Sequence, residues 1–374
     1  MVTTTLSDLR GFLMKQTPLN ARHRALGARM VEFGGWDMPV QYAGIIAEHK
    51  ATREGAGLFD ISHMARFWVT GPDSERFIQL IDTFDISKTA IGQSDYGIMC
   101  YEDGGIVDDI FTYHLGPDEW MVVANAGNAE KDWAWLNQHT AGYDVVLTDR
   151  SQELAMIALQ GPKAESLLAP LTDADVVNLA FHGITKATVE GAAGYISRTG
   201  YTGEDGFELF LPAGEIERIW DRLLEVGATP IGLGARDSLR FEPGLALYGH
   251  EIERDINPYE AKLGWVVKLD KGPFIGSEAL HDIKANGPVR TLVGLEMTGR
   301  GIARQGYPVV ALDGSELGVV TTGMPSPSLG KNLAYALVKA GSLKIGAEVD
   351  VLIREKPVRA TVVKTPFYKA RYKK

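Results

Sequence analysis

The chain of 374 residues carries 38 basic and 48 acidic side chains, a formal charge of −10 that argues against a polyphosphate backbone as primary partner. At 45% hydrophobic and 23% charged it has the composition of a folded globular chain, and its length suggests two or three domains. The one cysteine, Cys100, excludes an intramolecular disulfide and a cysteine metal cluster, and no apolar run reaches the ~18 residues of a membrane span.

From Met1 to Lys15 the chain mixes Thr, Ser, Asp8 and Arg10 without the apolar run of a leader, so a cytoplasmic location is expected. Apolar spacing and end signals then predict a strand over 66–69 and a helix over 73–81. Strands follow over 110–114 and 120–123, a helix over 129–138, and strands over 156–160 and 207–211. A helix over 214–225 sets Ile216, Ile219, Trp220, Leu223 and Leu224 on one face, with Glu215, Glu217, Arg218 and Asp221 toward water. Interleaved strands and helices predict an α+β arrangement. Past Asn286-Gly287-Pro288 the pattern changes to alternating runs at 291–297, 307–312, 317–321, 332–338, 348–353 and 358–363, broken by turn signals such as Asp313-Gly314. Short strands at close spacing predict a small β-barrel or sandwich, and a division into 1–285 and 286–374. No internal repeat is evident.

Three stretches could carry chemistry. In the first, Gly104-Gly105 feeds an apolar strand that opens with Asp108 and Asp109. Successive strand side chains point to opposite faces, so one carboxylate faces inward and the other faces solvent, and only one can belong to a site. Alternatively, both cap the turn. In the second, Gly200, Gly203 and Gly206 are spaced G-x-x-G-x-x-G without a lysine, which is neither a dinucleotide fingerprint nor a phosphate loop. That loop presents Tyr201 and leads into Glu208. A carboxylate beside an aromatic ring suits a flat heterocycle with adjacent N–H donors, since two parallel hydrogen bonds to one carboxylate are strong and directional. A solvated surface glutamate is the alternative. In the third, Gly232-Leu233-Gly234-Ala235-Arg236-Asp237 places an Arg-Asp pair at a helix start, followed by Arg240, Glu242 and Tyr248. The pair would fix a guanidinium for anion recognition, or serve only as a local ion pair. Histidine spacing fits no zinc site, His63 stands alone, and no G-x-S-x-G elbow is present. Cys100 reads as a small core residue, and the basic tail of Lys369, Arg371, Lys373 and Lys374 as a solvated end or a dock for an acidic partner.

These stretches recur in order with Thr17-Pro18-Leu19, Gly34-Gly35-Trp36-Asp37-Met38-Pro39, Gly57-Leu58-Phe59-Asp60-Ile61-Ser62-His63-Met64, Leu159-Gln160-Gly161-Pro162, Leu247-Tyr248-Gly249, Ser326-Pro327-Ser328-Leu329-Gly330 and Pro366-Phe367-Tyr368. The ordered set resembles the aminomethyltransferase, or T-protein, family of the glycine cleavage system over nearly the whole chain. The resemblance implies a three-domain cloverleaf, in which two interleaved folate-binding α+β domains precede a C-terminal β-barrel. It implies transfer of a methylene carbon from the aminomethyl-lipoyl arm of H-protein to tetrahydrofolate, giving 5,10-methylenetetrahydrofolate, ammonia and the dihydrolipoyl arm. The lipoylated H-protein is then the partner, tetrahydrofolate the co-substrate, and no metal, nucleic acid or membrane takes part.

By the same resemblance Asp109 is the catalytic aspartate and Asp108 points away from the site. Glu208 is the pterin-binding carboxylate, Tyr96, Asn125 and Tyr201 line the folate channel, Met64 adds an apolar wall, and Arg236 lies near the reacting end. Ala65, Pro243 and Met324-Pro325 depart from the family pattern, and Pro243, which lacks a backbone donor, is expected to shift the loop near Arg236. The alternatives are a folate-dependent demethylase or methyltransferase of a small methylated compound, and a non-catalytic folate-binding protein.

Overall fold

The computed structural model describes residues 14–373, so the stretch through residue 13, on which the leader reading rests, and Lys374 of the tail lie outside the described residues. A short helix, Asn20–Ala25, a hairpin of Arg29–Phe33 with Trp36–Gln41, and the helix Ile45–Glu54 lead into two sheets. The first has five strands, in the spatial order Ser94–Cys100, Ile106–Gly116, Glu119–Ala124, Ala65–Thr70, Val146–Asp149. The second has six, ordered Ile184–Val189, Ala192–Ser197, Gly206–Pro212, Leu154–Gln160, Gly57–Asp60, Thr229–Ile231. Gly57–Asp60 precedes the whole first sheet in sequence, yet it pairs with Leu154–Gln160 and, in parallel, with Thr229–Ile231. The two α+β units therefore interleave along the chain.

One order of elements runs twice, over 65–149 and over 154–231: strand, helix, 3-10 turn, three strands, helix, strand. The absence of a visible repeat in the sequence is thus not an absence in the fold. What the two halves share locally is a Gly-Pro pair ahead of the first helix. Gly71 and Gly161 sit there at φ of 121° and 127°, and a Cβ on either would meet a backbone oxygen at 2.4 Å. Only glycine fits such a turn.

Both sheets feed one apolar cluster, with Trp68, Tyr113, Met121 and Val123 from the first, Phe59, Met156 and Phe210 from the second, and Ala235 and Leu239 from the helix Leu233–Phe241. That helix thus packs against both sheets. The predicted helix near 214–225 begins at Ile216 and buries Ile216, Ile219, Trp220 and Leu223, the i, i+3, i+4, i+7 set read from the sequence. Each such side chain contributes roughly 1.5–3 kcal/mol. The 73–81 helix begins at Ser74, because Asp73 instead takes the Arg76 guanidinium at 2.6 Å and the Asp144 N–H at 3.0 Å.

The six alternating runs near the C-terminus close into a barrel: Arg290–Met297, Lys331–Lys339, Glu316–Ser326, Pro308–Val310, Glu348–Ile353, Lys356–Val363. The run at 307–312 is the shortest, reduced to Pro308–Val310 by a bulge between Val309 and Val310. Leu292, Leu333 and Tyr335 of the barrel pack on Phe241, and the neighbouring Glu242 accepts from Arg53, Ser326 and the Ser328 N–H. Pro243 lies just past the end of the helix that carries Arg236, so it terminates that helix rather than displacing the Arg236 turn. No described helix is long and apolar enough to cross a membrane.

Candidate active site

Asp109 lies in the strand Ile106–Gly116, opposite Ile98 of the neighbouring strand. Two residues back along that neighbour, Tyr96 shares the face of Ile98 and donates its hydroxyl to Asp109 Oδ2 at 3.0 Å. Asn125, one residue beyond the strand Glu119–Ala124, donates Nδ2 to Asp109 Oδ1 at 2.7 Å. Burial and then the charge of Asp108 raise the Asp109 carboxyl to about 7, against the pull of the Tyr96 and Asn125 hydrogen bonds. A carboxyl poised near neutrality can exchange a proton at physiological pH. Trp265, 59% exposed, stacks on the Tyr96 ring at 5.9 Å.

Asp108 corrects the expectation of a solvent-facing neighbour. It does point to the opposite face, but that face is covered by the helix Ala129–Gln138, and Asp108 is 0% exposed. Its Oδ1 accepts from Asn125 Nδ2 at 2.9 Å and Asn128 Nδ2 at 2.7 Å, and its Oδ2 from the Asn125 backbone N–H at 3.0 Å. One asparagine amide therefore bridges both carboxylates, and Asp108 belongs to the support of the site instead of standing apart as a control. The preceding turn is as tight as its glycines imply, since a Cβ on Gly105 would fall 2.1 Å from the Arg254 carbonyl oxygen.

Across the space, Glu208 is buried in the strand Gly206–Pro212 and its Oε2 accepts from the Thr199 hydroxyl and, at 3.3 Å, from the Tyr113 hydroxyl. Its Oε1 has no donor among the described residues, which leaves an acceptor for a ligand. Burial raises the Glu208 carboxyl, while Thr199 and the Arg236 charge oppose that rise. Tyr201 makes no hydrogen bond to Glu208 among the described residues. Its hydroxyl donates to the Ala246 carbonyl, and its ring lies under the Arg236 guanidinium, 4.6 Å from the centroid.

Arg236 likewise departs from the expected Arg-Asp pair, because Asp237 accepts from Arg240 at 2.8 Å, and Arg240 also holds Glu251 at 2.6 Å. The polar contact of Arg236 is Nη2 at 3.9 Å from Met64 Sδ, with no carboxylate bonded to it among the described residues. Burial lowers its pKa, and the charges of Asp109, Arg236 and Arg240 all act on the Tyr201 hydroxyl. Contacts and charge link the set: Met64 and Tyr201 meet Arg236, whose charge acts on Glu208, while Asp109 holds Tyr96 and Asn125 and its charge acts on Tyr201.

Tyr113, Thr199, Asn128, Asp132 and Trp265 were not singled out in the sequence. Tyr113 was reachable, since Asp109, Phe111 and Tyr113 alternate onto one strand face. The others meet the site only through tertiary packing. In the tail through Lys373, Lys369, Arg371 and Lys373 are exposed as a solvated end would be, while the Arg371 backbone N–H bonds the Gly203 carbonyl at 2.8 Å and Lys373 bonds Glu165 at 2.7 Å. Cys100 is a buried core residue whose thiol burial pushes up.

Residues 19–271 match a family model described as the GCVT N-terminal domain, and residues 290–369 match one described as the glycine cleavage T-protein C-terminal barrel domain. An aminomethyltransferase of Symbiobacterium thermophilum is 51% identical, covering 96% of this chain and 99% of its own. One from Desulfitobacterium hafniense is 48% identical over 95% of this chain and 98% of its own. The crystal structure of glycine cleavage system aminomethyltransferase T from Bartonella henselae superposes with a TM-score of 0.92 at 37% identity, covering 96% of this chain and 100% of that one. With both parts of the chain matched and these relatives covered end to end, the chain belongs to the glycine cleavage T-protein family of aminomethyltransferases.

Proposed function

We propose that this aminomethyltransferase takes the methylene carbon of an aminomethyl group from the lipoyl arm of H-protein and passes it to tetrahydrofolate, releasing ammonia and leaving the arm as the dithiol. Residues 1–285 would carry the chemistry and 286–374 the barrel that braces it, in a cytoplasmic enzyme. The donor set fits a reduced pterin. Glu208 offers an unengaged Oε1, and a pterin has adjacent N–H donors that one carboxylate can take together. Tyr96, Tyr201 and Met64 supply flat and apolar walls. Tetrahydrofolate would supply the nucleophilic amine that accepts the carbon.

The observation that carries the proposal is Asp109, a carboxyl raised to about 7 by burial and the Asp108 charge, fixed by Tyr96 and Asn125, and acting by charge on Tyr201, whose ring lies under Arg236. As an anion it orients a reacting amine and stabilises positive charge on nitrogen; as an acid it returns the proton to a departing one. Arg236, free of a carboxylate partner among the described residues, keeps its donors for substrate and not for Asp109. A demethylase of small methylated compounds shares the need for folate but delivers a methyl group and releases no ammonia. The test offers, in separate reactions with tetrahydrofolate, aminomethyl-lipoyl H-protein and methylated amines or sulfides. Methylene product from the first donor alone supports the proposal; methyl product from the second overturns it.

A further inference from the structure

Behind Asp109 lies a buried acid with no role in the chemistry above. Asp132, on the helix Ala129–Gln138, is 0% exposed, and neither carboxyl oxygen has a hydrogen-bond donor among the described residues. An isolated buried carboxylate in that state is strongly disfavoured. Asn128, whose carbonyl accepts the Asp132 backbone N–H at 2.8 Å, donates its side-chain amide to Asp108 at 2.7 Å, so the helix start brings Asp132 beside Asp108, whose charge acts on it. Asp108 Oδ1 already takes two side-chain amides, but Oδ2 takes a single backbone N–H and has a lone pair left. The groups facing Asp132 are Asp108 and Asp109 from the strand, Lys131 from its own helix, and Tyr248 from the loop that follows the Arg236 helix. Lys131 opposes the rise of the Asp132 pKa by its charge but is ion-paired with neither carboxylate among the described residues: its Nζ donates to the Val107 carbonyl and sits 4.1 Å from the Tyr248 ring centroid.

We infer that Asp132 is a positioning residue that stays protonated while the enzyme works and donates its O–H to Asp108, fixing the chain Asp108–Asn125–Asp109. Two adjacent buried carboxylates with no cation ion-paired to either are strongly disfavoured as a doubly charged pair, so one keeps a proton. The three N–H donors on Asp108 mark it as the anion and leave Asp132 as the acid. Burial, followed by the Asp108 charge, holds the proton on Asp132 up to about 11. With donors on both of its oxygens, Asp108 anchors the Asn125 amide, and Nδ2 of that amide holds Asp109 Oδ1 where Tyr96 can reach Oδ2. The inference rests on Asp109 being the reacting carboxylate.

Infrared spectra of the full-length protein, with and without carbon-13 aspartate, read the proton directly. They are recorded at about pH 9, where carboxyls titrating near 7 or below are ionised, as are Asp109 and Asp82, which burial raises to about 7 and about 6. The protonated-carboxyl band is expected in the parent and in Asp109→Asn and absent from Asp132→Asn. A band that survives Asp132→Asn, or none in the parent, overturns the inference. This readout needs no turnover, so it fails or succeeds independently of the aminomethyl chemistry.

Kinetics supply the second readout. Asp132→Ala gives Asp108 no donor and lowers kcat about 10- to 100-fold at unchanged folate affinity, the scale of a small misplacement of a reacting group. Asp132→Asn restores an N–H donor and recovers most of that loss, with the acid limb of the pH profile in place because one neutral group replaces another. Equal losses in both variants, or an acid limb displaced to lower pH in Asp132→Asn, would contradict a protonated positioning role.

Discussion

Asp108→Asn tests how the buried carboxylate behind Asp109 sets the pH at which the site works. Asp108 Oδ1 and Asp109 Oδ1 both accept from Asn125 Nδ2, at 2.9 and 2.7 Å, so these oxygens lie at most about 5.6 Å apart. At an effective dielectric of ~20, two unit charges at that separation repel by about 3 kcal/mol. That corresponds to about two pH units in the titration of Asp109. Asparagine at 108 keeps an Oδ1 for the Asn125 and Asn128 side-chain amides but sets an NH2 where Oδ2 took the Asn125 backbone N–H, so kcat falls as well and the pH at which the limb lies is the readout. Removing the negative neighbour makes the Asp109 anion easier to form, and its pKa falls from the raised value of about 7. If the anion is the working form, the acid limb of kcat moves from near neutrality to about pH 5. The assay is ammonia release followed from about pH 4 to pH 9, a window that spans both limbs. A limb that remains near neutrality in Asp108→Asn would refute either the charge on Asp108 or the assignment of the limb to Asp109.

Three further outcomes are expected. Asp109→Asn lowers turnover about a hundred- to ten-thousand-fold while folate affinity, measured by titration calorimetry, stays within error; full activity would remove Asp109 from the chemistry. Glu208→Ala weakens folate binding by about 1–3 kcal/mol, because the pterin donors lose their charged acceptor; unchanged affinity would place the pterin elsewhere. Asp60 accepts the Thr17 hydroxyl at 2.6 Å and bonds the His23 ring at 2.8 Å, and although burial alone would raise it, these partners carry it down to about 2. Its folded value lies below its unfolded one, so this stabilisation is present above about pH 4 and lost as pH falls through about 2. Asp60→Asn should therefore cost about 2 kcal/mol in urea unfolding at neutral pH, with the gap to the parent narrowing in acid. A gap that does not change with pH would contradict that assignment.

Local chemistry made much of the fold legible. The helix that buries Ile216, Ile219, Trp220 and Leu223 and the six barrel strands follow from spacing and turn residues alone. What spacing could not reach is long-range pairing. Gly57–Asp60 joins the six-stranded sheet across almost one hundred residues of intervening chain, and the doubled order of elements is masked because its two copies share little beyond paired Gly-Pro turns. In the site, strand alternation correctly separated Asp108 from Asp109, yet it could not say that a helix covers the Asp108 face. The Arg236-Asp237 pair failed for a similar reason, since Arg240, one helical turn on, offers Asp237 a better-placed guanidinium. Asp132 gave no local signal at all, because its character comes from the buried carboxylate that packing sets beside it.

The most direct measurement supplies aminomethyl-lipoyl H-protein and follows ammonia and 5,10-methylenetetrahydrofolate together, with and without tetrahydrofolate. We predict that both appear in equal amounts, that release without folate is slower by orders of magnitude, and that Asp109→Asn suppresses both products alike. Folate binding without either product, or ammonia release indifferent to folate and to Asp109, would contradict the account.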